Sequence, residues 1–179
     1  MTAWFLVIAL TLAPSRAELK ETAILAWLAT ANPSVAWGEF PRSLLHHARA
    51  TRLDYRLVLA VCSVESELRP HAVSHKGAVG LCQIMPQTAQ DLGARLGIRG
   101  DLRDPIHNMR LATVYLRDQV TAFGLGREAF QAYNRGPERA REVWPRDQYA
   151  GNVALRYMRI IRELPDSVQH GEHTLSDAW

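Results

Sequence analysis

Several kinds of protein are set aside by what this sequence does not contain. It has no heptad pattern, no internal repeat and no long apolar span, so coiled coils, solenoids and multispan membrane bundles do not fit. Its two cysteines, Cys62 and Cys82, have no histidine cluster near them, and no metal site is expected. There is no dense Lys/Arg run interleaved with aromatics, so nucleic acid is not an expected partner. A glycine-containing loop at Gly77 and Gly80 lacks the Gly-Lys-Ser/Thr ending of a phosphate loop, and no cofactor is indicated. What is present is 179 residues, 47% of them hydrophobic, enough for one domain with a real core. The net charge of +3 makes a weak positive field that suits an anionic polymer.

The most informative stretch runs from Tyr55 to Leu68, which has neither Gly nor Pro and is almost wholly apolar from Leu57 to Val64. Such a run predicts a buried helix. Asp54 stands where an N-cap would, and Pro70 disfavours helical backbone at Arg69, so the helix is expected to stop there. Val58, Val61, Cys62 and Glu65 fall at i, i+3, i+4 and i+7, which carries Glu65 on the core-facing stripe into the last turn. Burial and the negative end of the helix dipole both raise a carboxyl pKa. A carboxyl held protonated near neutrality can serve as a general acid. Glu67, roughly 200° further round the helix, reads as a solvated rim charge.

After the helix, Ser74 and Gln83 offer a hydroxyl and an amide within the loop that reaches Pro86. These are groups that hydrogen-bond sugar hydroxyls and N-acetyl groups. Further on, Ala132-Tyr133-Asn134-Arg135-Gly136-Pro137 pairs an aromatic face with an amide, and a tyrosine recurs at Tyr149. The Glu65-Ser66 helix end, the Gly77-Ala78-Val79-Gly80-Leu81-Cys82-Gln83 loop and the Tyr133-Asn134 segment, in that order, resemble the soluble lytic transglycosylase (SLT) domain. The resemblance covers about Leu44 to about Leu164.

That resemblance implies a mainly α, lysozyme-like fold of the goose-type lysozyme kind, with a β-poor active-site loop. It implies peptidoglycan as substrate, with Glu65 as the catalytic acid and base. Ser74, Gln83, Tyr133, Asn134 and Tyr149 would be the substrate-binding residues. Small members of the family often serve secretion, conjugation or pilus machines, which makes such a machine a candidate partner. The sequence departs from the family at Arg69, where Asn is usual, at Cys82, where Met is usual, and at Arg135, where Ala is usual. Two-carboxylate glycosidases need a second acid across the bond, and Asp147 is the one serious candidate. Two rival readings therefore stay open, a hydrolase using Asp147 and a non-catalytic glycan-binding subunit.

Residues 1–17 read as a secretory signal, with an apolar core from Trp4 to Leu10 and small residues at Ser15 and Ala17, although no Lys or Arg precedes the apolar run. Export to the periplasm is the expectation. The second apolar patch, Ala23 to Ala36, could alternatively be the signal of a shorter chain or a buried N-terminal helix. In an oxidising compartment Cys62 and Cys82 could form a disulfide or remain two small buried hydrophobes. Residues 18–40 carry no firm assignment beyond turns at Asn32-Pro33 and Trp37-Gly38. Residues 41–164 form the expected catalytic domain, with helices from Pro41, Pro86, Pro105, Glu128 and near Tyr149. Residues 165–179 read as a loose polar tail.

Overall fold

The computed structural model describes residues 14–142 and 148–166. Among the described residues seven α-helices follow one another: α1 (Arg16–Ala31), α2 (Phe40–Thr51), α3 (Tyr55–Ser66), α4 (Pro86–Leu96), α5 (Pro105–Phe123), α6 (Arg127–Arg135) and α7 (Tyr149–Glu163). A short 3₁₀ turn, Pro137–Arg139, follows α6. β pairing among the described residues is limited to two isolated bridges, Val73 with Val79 and Val79 with Ile84.

Helix α3 is the axis of the molecule. Leu57 through Cys62 are all buried, as an apolar run requires when a helix is covered on every side. Helix α7 packs along it through Val153, Tyr157 and Ile160, while α2, α5 and α6 complete the surround. Asp54 caps α3 by accepting from the Arg56 backbone N–H at 2.8 Å. Asp104 caps α5 in the same way, at 2.9 Å from Ile106, with Pro105 at the first helical position.

Helix α3 ends at Ser66 rather than near Leu68. Glu67 and Leu68 both take left-handed backbone, at φ 55° and 59°. Non-glycine residues rarely adopt it, so the turn must be held from outside. Leu68 is buried, its carbonyl accepts from the Asn32 side chain at 2.9 Å, and the Ser66 hydroxyl accepts from the Arg69 N–H at 3.0 Å. Pro70 therefore lies beyond a stop that tertiary contacts have already made.

The stretch without an assignment, residues 18–40, contains most of α1. Ser15 and Glu18 form a capping box at its start, and Ile24 and Leu28 join the same core as Leu44 and Leu59. The expected cut after Ala17 falls inside its first turn, between the cap and Glu18. Trp27 ties α1 to α7 by donating its indole N–H to Glu163 at 2.7 Å. Among the described residues no helix is long and apolar enough to cross a membrane.

Candidate active site

Glu65 lies in the last turn of α3, half-buried, where α7 and α6 close over the helix end. Tyr149 opens α7 and donates its hydroxyl to Glu65 Oε1 at 2.6 Å. Asn134, exposed on the last turn of α6, donates its side-chain amide to the same carboxylate. Burial raises the Glu65 pKa to about 7, against the pull of the Tyr149 and Asn134 hydrogen bonds, which favour the anion. Among the described residues no cation contributes to that balance. Arg69, the nearest cation in sequence, turns its guanidinium to the Ser66 carbonyl at 2.8 Å and so serves the helix end instead.

The loop after α3 is fastened to the helix by a disulfide between Cys62 and Cys82, so the two sulfurs are bridged. Cys62 is one turn before Glu65 and Cys82 precedes Gln83. The Ser66 hydroxyl donates to the Leu81 carbonyl within the same junction. Asn108, fully buried on α5, donates to the Val79 and Leu102 carbonyls at 2.8 and 2.9 Å and accepts from the Cys82 N–H at 2.8 Å. That use of one amide explains Gly80. Its φ is +86°, and a Cβ there would stand 2.1 Å from the Leu102 carbonyl and 2.3 Å from Asn108 Nδ2.

The remaining expected residues fall in two groups. Tyr149, Asn134 and Glu65 meet directly. Tyr133 is buried, with its hydroxyl donating to the Cys82 carbonyl at 2.9 Å and its ring 5.2 Å from that of Tyr115. It braces α6 against the disulfide loop beneath the Glu65 carboxylate. The Ser74 hydroxyl accepts from the Ala78 N–H at 3.0 Å and shapes the loop's outer turn. Gln83, at φ 52°, donates its amide to the Ala72 and Gly80 carbonyls at 3.1 and 2.9 Å. Its Oε1 has no donor among the described residues, so the acceptor end is available to a ligand. Asp147 lies outside the described residues. Asn108 holds the loop in place.

A carboxyl poised near neutrality, with two donors ready to receive its anion, is equipped to give a proton and take one back. The class this defines is a helical domain with a half-buried glutamate in the last turn of its central helix. Residues 44–153, more than half of the chain, match the Transglycosylase SLT domain, and the chain belongs to that family. It is 35% identical over 101 residues to the "Transglycosylase" of Enterobacteria phage PRD1, covering 56% of this chain and 36% of that one. It is 34% identical over 116 residues to "Membrane-bound lytic murein transglycosylase C" of Actinobacillus pleuropneumoniae, covering 57% and 32%. The chain thus spans about a third of the length of these curated relatives. Among solved structures, an inactive Glu-to-Gln mutant of lytic transglycosylase Slt from Pseudomonas aeruginosa superposes with TM-score 0.63 at 28% identity, over 69% of this chain and 24% of that one. The mainly helical, lysozyme-like SLT fold expected from the motifs is the fold observed.

Proposed function

We propose that this chain is an exported peptidoglycan lytic transglycosylase that cleaves the β-1,4 bond between N-acetylmuramic acid and N-acetylglucosamine. The observation that carries the proposal is the Glu65 carboxyl, raised to about 7 by burial and approached by Tyr149 and Asn134, with no cation among the described residues contributing. The names of its relatives, lytic murein transglycosylases among them, support the same substrate. The membrane-bound relatives also support a location in the cell envelope, and the proposal takes residues 1–17 as the export signal.

Protonated Glu65 gives its proton to the bridging oxygen as the bond from the anomeric carbon breaks. The substrate's own N-acetyl oxygen stabilises the cation that forms. The Glu65 carboxylate, held by Tyr149 and Asn134, then takes the proton of the C6 hydroxyl, whose oxygen closes on the anomeric carbon. The product is a 1,6-anhydro end, made without water and favoured by the proximity of the attacking hydroxyl. The route needs one protein carboxyl, whereas a two-carboxylate hydrolysis would need a second acid across the bond, for which Asp147 is the candidate.

Mass spectrometry of peptidoglycan digested by the full chain and by Glu65→Gln tests the proposal. Anhydro-ended fragments that vanish in the variant are expected. Reducing-end fragments would make water the acceptor and point to a second acid such as Asp147. Binding without cleavage by either protein would favour a glycan-binding subunit.

A further inference from the structure

Two clefts lie away from the Glu65 carboxylate. The smaller, about 180 Å³, sits between α1 and α2, and its one arginine, Arg42, is already paired with Glu21 and Glu39. The larger, about 360 Å³, lies on the flank of α3 turned away from Glu65. Its α3 wall carries Ser63, Val64 and Glu67, and its α7 wall carries Asn152, Leu155, Arg156 and Arg159. The charged groups there are uncommitted. Neither arginine nor Glu67 has an ion-pair partner among the described residues. Ser63 is 1% exposed, and its hydroxyl has no hydrogen-bond partner among the described residues. A buried hydroxyl left without a partner costs stability and calls for a reason.

We propose that this cleft is a second binding site, for a short peptide that bears carboxylates and a free amino group. Two arginines at i and i+3 on one face of α7 present forked donors suited to carboxylates. Asn152, one turn earlier, offers an amide for a peptide bond, and Leu155, 72% exposed, offers an apolar wall. Ser63 supplies the unused hydroxyl on the α3 wall. Glu67 stands opposite the arginines, and the left-handed turn that ends α3 fixes its backbone. It would take the amino group. The volume is at the small end of the range for ligand pockets and suits two or three residues rather than an extended protein segment. Tyr149, Asn152, Arg156 and Arg159 fall at i, i+3, i+7 and i+10, so the stripe that lines the cleft begins at the tyrosine that holds Glu65. The site is argued from these groups alone and does not depend on the reaction proposed for Glu65.

The test is an NMR titration of the full chain with triglutamate, with triglutamine, trilysine and N-acetylated triglutamate as comparisons. Triglutamate should shift the resonances of Ser63, Glu67, Asn152, Arg156 and Arg159 and bind at least about 10-fold more tightly than each comparison peptide. The double variant R156Q/R159Q should lose at least about 10-fold of that affinity. Ser63→Ala should weaken binding while leaving the melting temperature unchanged or higher, because it removes an unsatisfied buried group. A purely structural serine would not separate those two readouts. Equal binding of triglutamine or the acetylated peptide, shifts spread over arginines elsewhere, or no shift up to about 10 mM triglutamate would overturn the proposal.

Discussion

The two ends of α3 carry the same contact in opposite electrostatic settings. At its start, Asp54 accepts a hydroxyl from Tyr157 of α7 at 2.8 Å; at its end, Glu65 accepts one from Tyr149 of the same helix at 2.6 Å. The difference is the cation. Asp54 is gripped by the Arg56 guanidinium, which also reaches Asp166 at 3.5 Å, and Lys20 pairs with Asp166 in turn. Arg56 and Lys20 both sit over the Tyr55 ring, at 5.6 and 5.7 Å. Among the described residues Glu65 has only neutral donors. One end thus fixes charge to join α1, α3 and α7, and the other, with no cation contributing among the described residues, leaves its carboxyl near neutrality.

Four changes would break or sharpen this contrast. The largest effect is expected at the uncompensated end. Glu65→Gln should lower the release of anhydro-ended fragments by about 10²–10⁴-fold with the fold intact by circular dichroism. At the compensated end, Arg56→Met leaves Asp54 facing Tyr157 without its cation. Urea unfolding should show a loss of about 2–3 kcal/mol, reduced from the fully buried case because both side chains keep some exposure.

On stability, Glu65→Gln should act with the opposite sign. The Glu65 pKa is raised on folding from 4.5 to about 7, so the folded state binds the proton more tightly than the unfolded state. The stability it contributes is fully present below pH 4.5 and is lost as pH rises through about 7. Glu65→Gln should therefore match the parent near pH 4 and exceed it at pH 8 by up to about 3 kcal/mol, read by urea unfolding at both pH values. Equal stability at pH 8 would mean that Glu65 is not strained by burial.

The smallest expected effects come from the paired tyrosines. Tyr149→Phe removes a donor that favours the anion, so the alkaline limb of the activity profile should move to higher pH. Tyr157→Phe should instead cost about 1 kcal/mol of stability and leave that profile in place. A profile shift in both would show that the two ends are coupled along α7.

The sequence made some of this legible and hid the rest for physical reasons. Helix α3 was readable because a gapless apolar run has few other outcomes, and Glu65 on its stripe followed from the period. Helices α4 and α5 were readable from Pro86 and Pro105. Helix α1 was not. Its apolar residues, Trp27 and Leu28 among them, resemble an export signal as much as a core helix, and only packing against α2 and the Trp27 hydrogen bond to Glu163 of α7 separate the two. The stop at Ser66 was also hidden, because left-handed Glu67 and Leu68 are imposed by Asn32 and by burial of Leu68, which no local pattern announces. The chemistry around Glu65 was indicated by residue type and order. The inward commitment of the Tyr133 hydroxyl was not, because a groove tyrosine and a bracing one look alike in one dimension.

The bridge from Cys62 to Cys82 gives this arrangement a history as well as a shape. It fastens the loop that carries Ser74 and Gln83 to the turn of helix just before Glu65. Thiols are kept reduced in the cytosol and pair in oxidising compartments. On the proposed export route, a newly made chain would therefore carry its glutamate into the envelope with the loop not yet locked. The passage that brings it to the wall would also supply the oxidant that completes the site, so maturation and arrival at the substrate would coincide.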